Sequence, residues 1–405
     1  VDGLGLRPVA TDREGACVNK DEAAPETRLI HTRADRLGRV TVNPPLERAS
    51  TVLFRDEAGL YGAKPTYGRM GLTVHRELEA AMCDLEGAKH ARLAGNGLQA
   101  CALAIASLVS SGDHLLFTDS AYGPTARYCE RRLKAMGVEA ERFDPRIGGE
   151  IAALFRPNTK AIFLEAPGSL TFEICDTPAI VAAASERGIR TILDNTWGAG
   201  LLHQPLALGV DICVQALTKY AVGHADAFGG AVMTRDNGLS ARIAAASEDW
   251  GISLAPDDAY LALRGLRSLH TRLKAHEASG LEMAHWLAGR PEVADVLHPA
   301  LPGSPDHVLW KRDFTGSNGL FGIILNPPPE GGMERFFSAL SLFSLGFSWG
   351  GFESLIIPCD QQLERMKGSW TETRAGPLLR LHIGLEATSD LKRDLESAFK
   401  ALSGN

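Results

Sequence analysis

From about residue 75 to 235, short apolar runs alternate with stretches whose apolar residues recur every three or four positions. His114-Leu115-Leu116-Phe117-Thr118 and Lys160-Ala161-Ile162-Phe163-Leu164 read as strands. Arg190 to Asp194, Val210 to Ala216 and Gly230 to Thr234 supply three more. Between them lie helical patterns at Ala100 to Val109, near 124–136 and from Pro178 to Arg187, the last stopped by Gly188. This rhythm predicts an α/β fold whose mainly parallel sheet is covered by helices on both faces. In such sheets ligands sit beyond the C-terminal ends of the strands.

Pro256 to Leu287 is long and helical in pattern, and its latter part bridges to a second region. That region has strands near 320–326, 353–357 and 378–384, then a final helix from about 388 to 402. The stretch from 27 to 66 lacks periodicity, as an extended arm crossing to a neighbouring subunit would. The expected division is a tail and arm over 1–70, a large domain over 71–275 and a smaller α/β C-terminal domain over 276–405.

Length and composition narrow the picture. A chain of 405 residues exceeds one average domain, and 45% hydrophobic with 22% charged residues describes an ordinary globular protein with a sizeable core. Lys and Arg number 42 against 49 Asp and Glu, a net charge of −7, which leaves no footprint for nucleic acid. The seven cysteines are scattered without CxxC spacing, as reduced thiols of a cytoplasmic protein would be. No HxxxH or HxH pair supports a metal site. The apolar stretch Leu98 to Val109 is too short to span a bilayer. Val1 to Glu26 is polar, has no cationic-then-apolar pattern, and is expected to be a mobile tail rather than a secretory signal.

Two residues change the picture most. Asp194 closes the apolar run that starts at Arg190, and Lys219 follows the next run, in Gln215-Ala216-Leu217-Thr218-Lys219-Tyr220. A pyridoxal phosphate (PLP) enzyme needs such a pair: a carboxylate to keep the pyridine nitrogen protonated and an amine to hold the cofactor as a Schiff base. Taken singly, Lys219 also reads as a lysine snorkelling to solvent and Asp194 as a helix cap. Gly95-Asn96-Gly97-Leu98 opens a helix, where free backbone N–H groups make an anion site or a simple cap. Thr218 offers a hydroxyl nearby. Tyr122, after a strand, reads as a ring-stacking aromatic or a plain loop residue. Arg380 is a charge inside an apolar strand, whose partner is a substrate carboxylate or an internal glutamate.

Ordered motifs along the chain resemble the Cys/Met-metabolism PLP-dependent enzymes of fold type I (aspartate-aminotransferase-like), most closely the bacterial cystathionine β-lyase branch. They include Tyr67-Gly68-Arg69, Leu85-Glu86-Gly87, Ser111-Gly112-Asp113-His114, Leu193-Asp194-Asn195-Thr196-Trp197 and the run around Lys219. Tyr260 to Arg267 and Phe347-Ser348-Trp349-Gly350-Gly351-Phe352-Glu353 complete the set. The resemblance implies that Lys219 is the Schiff-base lysine and catalytic base, Asp194 the partner of the pyridine nitrogen, and Tyr122 the stacking ring. Gly97, Leu98 and Thr218 would hold the phosphate, joined by Tyr67 and Arg69 from the neighbouring subunit. Ser348 and Arg380 would bind the substrate carboxylate beside Trp349. It also implies a homotetramer and a carbon–sulfur lyase releasing a thiol, pyruvate and ammonia.

Trp349 and Ser169 resemble the β-lyases, since γ-acting relatives are less aromatic at the first position and tend to carry asparagine at the second. Met70 departs from the branch, which usually reads Tyr-Gly-Arg-Arg-Gly-Thr where this chain has Tyr67-Gly68-Arg69-Met70-Gly71-Leu72. The missing arginine is associated with the distal charge of cystathionine. A γ-eliminating lyase for a smaller, uncharged substrate is therefore the alternative expectation. A non-catalytic relative is opposed by the intact Lys219 and Asp194.

Overall fold

The computed structural model describes residues 24–31, 41–62, 65–366 and 375–404; the expected tail over 1–26 lies almost wholly outside them. Seven strands form the larger sheet: β1 His90–Ala94, β2 His114–Thr118, β3 Glu139–Phe143, β4 Thr159–Glu165, β5 Arg190–Asp194, β6 Ile212–Gln215 and β7 Gly230–Thr234. Their order is β1-β7-β6-β5-β4-β2-β3, and the neighbours from β6 through to β3 run parallel. β7 is antiparallel to both β6 and β1.

The inner strands β2, β4, β5, β6 and β7 are mostly apolar and buried because both faces are covered. Successive side chains point to opposite faces, so neighbours in sequence enter different cores. Phe163, Ile192 and Val214 pack with Leu103 and Ile105 of the helix Gly97–Ala106. Leu164 and Leu193 pack on the other face with Ile180 of the helix Thr177–Glu186.

The second sheet has the order β10-β11-β12-β9-β8, where β8 is Val293–Leu297, β9 Leu320–Leu325, β10 Ser344–Leu345, β11 Leu355–Pro358 and β12 Leu378–His382. Its core gathers Phe321, Ile323, Leu379 and Leu381 with Leu395 and Phe399 of the C-terminal helix Thr388–Ser403. β1, β3 and β8 were not expected from their patterns. Glu139-Ala140-Glu141-Arg142-Phe143 is strongly charged, and Val293 to Leu297 has only one fully buried residue.

Two expectations need correction. The single helix over 256–287 is two, Pro256–Leu266 and Leu269–Ala288. Gly265 lies so close to the backbone of Ala221 and Val222 that a side chain would overlap their carbonyls, and the axis restarts just after this contact. The aperiodic stretch is not wholly extended, since helices span Pro25–His31 and Glu57–Gly62. Its central part is tied to its own chain, with Glu47 accepting from the Thr73 N–H at 2.9 Å and Arg48 paired with Asp257.

Candidate active site

Asp194 ends β5 and sits beside β6, whose chain continues into the turn that bears Thr218 and Lys219. The helix beginning at Gly97 abuts this turn, and a side chain at that glycine would overlap Ala216. Gly97 and Leu98 therefore present a helix N-terminus, whose first N–H groups have no carbonyl one turn back, beside the turn that bears Lys219. Asn96 caps that helix by accepting from the Gln99 N–H at 2.9 Å. The Thr218 hydroxyl exchanges hydrogen bonds with Gly229, at 3.2 Å to its carbonyl and 3.1 Å from its N–H.

Lys219 donates through Nζ to Ser348 Oγ at 2.6 Å and lies 5.3 Å from the centre of the Trp349 ring. Burial lowers its proton affinity to a pKa of about 8; the like charge of Arg380 adds to this and Asp194 opposes it. Arg380, on β12, is buried and donates through Nη2 to the Ser348 carbonyl at 2.8 Å, while its Nε has no hydrogen-bond partner among the described residues. Burial also lowers its pKa to about 10. A buried guanidinium with an unused donor, held beside Ser348, is the chemistry a carboxylate anchor requires.

Burial raises the proton affinity of Asp194. Thr196 opposes that rise by donating to Asp194 Oδ1 from its backbone N–H at 3.0 Å and from its hydroxyl. The same hydroxyl accepts from the Ala216 N–H at 2.8 Å, so Thr196 ties the aspartate to the Lys219 turn. Tyr122 is about half exposed, its backbone N–H donating to Glu165 Oε2 at 2.6 Å.

These contacts bring Lys219, Ser348, Trp349 and Arg380 into one cluster, with Asp194, Thr218, Gly97, Leu98 and Tyr122 around it. Tyr67, Arg69 and Met70 lie in the turn that leads into the helix Thr73–Glu86 and, among the described residues, make no hydrogen bond to this cluster; there the Arg69 guanidinium is 5.9 Å from the Tyr67 ring centre and the Thr66 hydroxyl is 3.6 Å from Met70 Sδ. Thr196 and Glu165 were missed as site residues. Glu165 did leave a signal, since it closes an apolar strand as Asp194 does.

The residues present fit PLP: a buried carboxylate suited to a protonated ring nitrogen, a lysine of lowered pKa, and a helix start for the phosphate. A family model for Cys/Met metabolism PLP-dependent enzymes matches residues 26–400. The chain is 42% identical over 371 residues to the cystathionine beta-lyase of Bordetella avium, covering 89% of this chain and 92% of that protein. It is 40% identical over 386 residues to the cystathionine beta-lyase of Salmonella typhimurium, covering 92% and 98% respectively. Among solved structures, cystathionine gamma-lyase from Lactobacillus plantarum matches with a TM-score of 0.86 at 29% identity, covering 94% of this chain and 99% of that one. The chain thus belongs to the Cys/Met metabolism PLP-dependent enzymes of fold type I, and within them its sequence is cystathionine β-lyase-like.

Proposed function

We propose that this protein is a lyase that eliminates a sulfur substituent from the β-carbon of an L-amino acid, with L-cystathionine as its substrate and a thiol, pyruvate and ammonia as products. The observation that carries the reading is the Lys219–Ser348–Arg380 cluster, a base of lowered pKa beside a buried carboxylate anchor. PLP, when bound, supplies the electron sink for the pair left at Cα. Arg380 and Ser348 hold the substrate α-carboxylate, and Trp349 walls the pocket against water. Lys219 Nζ removes the Cα proton, a step for which a pKa near neutrality is suited. Asp194 would keep the ring nitrogen protonated and Tyr122 would stack on the ring, while Gly97, Leu98 and Thr218 would hold the phosphate.

In this reading Tyr67 and Arg69 complete the phosphate site of a second copy, so the working unit is at least a dimer, and a homotetramer in the family's manner. No helix among the described residues is long and apolar enough to cross a membrane, and the site is that of a small-molecule enzyme; we place it in the cytoplasm.

A second reading rests on Met70. A thioether in place of an arginine removes a charge-assisted contact worth about 1.5–3 kcal/mol, which suits γ-elimination from a smaller, uncharged substrate. Product analysis separates the two. Pyruvate from L-cystathionine supports β-elimination, whereas 2-oxobutyrate or an unsaturated amino acid from γ-substituted substrates supports the second. Met70→Arg lowers KM for L-cystathionine about tenfold or more if the distal carboxylate is otherwise uncontacted.

A further inference from the structure

We propose that His382 is a positioning residue, which fixes the turn Ser348–Gly351 so that Ser348 Oγ stands at Lys219 Nζ; this rests on the assignment of Ser348 and Arg380 to the substrate carboxylate. The turn is an unusual piece of backbone. Ser348 has φ 79° and Gly350 φ 84°, and only the second is a glycine. A left-handed serine persists where its surroundings over-determine it.

Three contacts do so. On one side, the turn rests on the backbone of the lysine itself, since a Cβ at Gly350 would lie 2.8 Å from Tyr220 N and 3.0 Å from the Lys219 carbonyl carbon. On the other side, β12 holds the turn at both ends. Arg380 and His382 are two residues apart on that strand and so share a face. Arg380 Nη2 bonds the Ser348 carbonyl at 2.8 Å. His382 Nε2 lies 3.2 Å from Gly350 N and 3.0 Å from the Gly351 carbonyl.

One nitrogen cannot donate and accept at once. With Nε2 protonated it donates to the Gly351 carbonyl, and in the other tautomer it accepts from the Gly350 N–H. Either way the bond is to the turn, and Nδ1 is buried with no hydrogen-bond partner among the described residues. Tyr220 and His276 enclose the ring, at centroid distances of 6.0 and 5.3 Å. Burial, helped by His276 close by, lowers the His382 pKa to about 3, so the imidazole stays neutral through the working range.

The test compares His382→Leu, His382→Gln and His382→Asn with the parent protein. The glutamine amide nitrogen reaches the place of Nε2, whereas the asparagine side chain stops short. With PLP-loaded protein and L-cystathionine, His382→Leu and His382→Asn are expected to raise KM about tenfold while kcat stays within about threefold. His382→Gln is expected to return KM to within about threefold of the parent value. In PLP-free protein, acylation of Lys219 read by peptide mass is expected to quicken several-fold in the Leu and Asn variants but not in the Gln variant. Equal KM and equal Lys219 labelling across folded variants overturn the proposal. Should His382→Leu fail to fold, the Gln–Asn contrast decides alone. If the parent protein makes no pyruvate from L-cystathionine, the lyase reading fails, and Lys219 labelling still decides the role of His382.

Discussion

Glu165 and Asp194 stand opposite each other in register at the C-terminal ends of β4 and β5. Burial raises the proton affinity of Glu165 well above the usual carboxyl range, and the Asp194 charge raises it further. Like charges held side by side disfavour each other, and Asp194, unlike Glu165, has the Thr196 hydroxyl and N–H to favour its charged form. Glu165→Gln is expected to keep PLP affinity within about threefold, because a neutral acceptor still receives the Tyr122 N–H. Glu165→Ala loses that acceptor and is expected to weaken PLP binding by about 1 kcal/mol. Fluorescence titration of the PLP-free protein measures both, and a large loss in Glu165→Gln would show that Glu165 acts as a charge.

Lys219 makes the cofactor-free protein sensitive to alkaline pH in a defined direction. Its folded pKa of about 8 lies below the ordinary 10.5, so the buried ammonium is a full penalty below pH 8 that fades as pH rises to the unfolded value. Lys219→Met should be the more stable cofactor-free protein at pH 7, by about 2 kcal/mol after allowance for partial exposure. That margin should vanish by about pH 10.5 in denaturant titrations. Equal stabilities at pH 7 would refute the burial argument.

Glu86 works in the opposite sense over a different window. It is fully buried, accepting from the Asn195 side chain at 2.9 Å and from the Gln215 amide, and burial raises its pKa from 4.5 to about 7. Its neutral form is preferred in the folded state, so it lowers stability as pH climbs from the unfolded pKa through the folded one. Glu86→Gln is expected to remove part of the stability decline between those two values. Parallel unfolding curves for parent and variant from acid to neutral pH would contradict it.

Arg365, shortly after β11, reaches across to residues that follow β2 and β4 of the larger sheet. Its guanidinium reaches Asp119 at 3.1 Å and Glu173 at 2.8 Å, and all three side chains are buried. Removing one member of such a cluster strands charge inside the protein and costs about 3–5 kcal/mol. Arg365→Met is expected to lower the thermal midpoint by several degrees, and an unchanged midpoint would mean that water reaches the cluster.

The parallel sheet and its chemistry were legible because β4, β5 and β6 are apolar on both faces and because Asp194 and Lys219 interrupt apolar surroundings with charge. β3 was hidden, since its edge position lets Glu139, Glu141 and Arg142 carry charge on a strand. The break before Leu269 was hidden too, because a close backbone approach at Gly265 leaves no trace in periodicity. Arg380 showed as a charge inside an apolar strand, Ser348 and Trp349 came from motif likeness, and His382 and Thr196 act through hydrogen bonds that only the folded chain brings about.

Lys219 belongs to the turn after β6, whereas Ser348 and Arg380 belong to the region of the second sheet, and the core beside their contact is shared, with Leu320 of β9 packed in one cluster with Leu217 and Tyr220. A cavity opened in that shared cluster would therefore be felt on both sides of the Nζ–Oγ contact. The amine's hydrogen bond is thus a gauge of how well the two regions pack on each other, readable at the base itself.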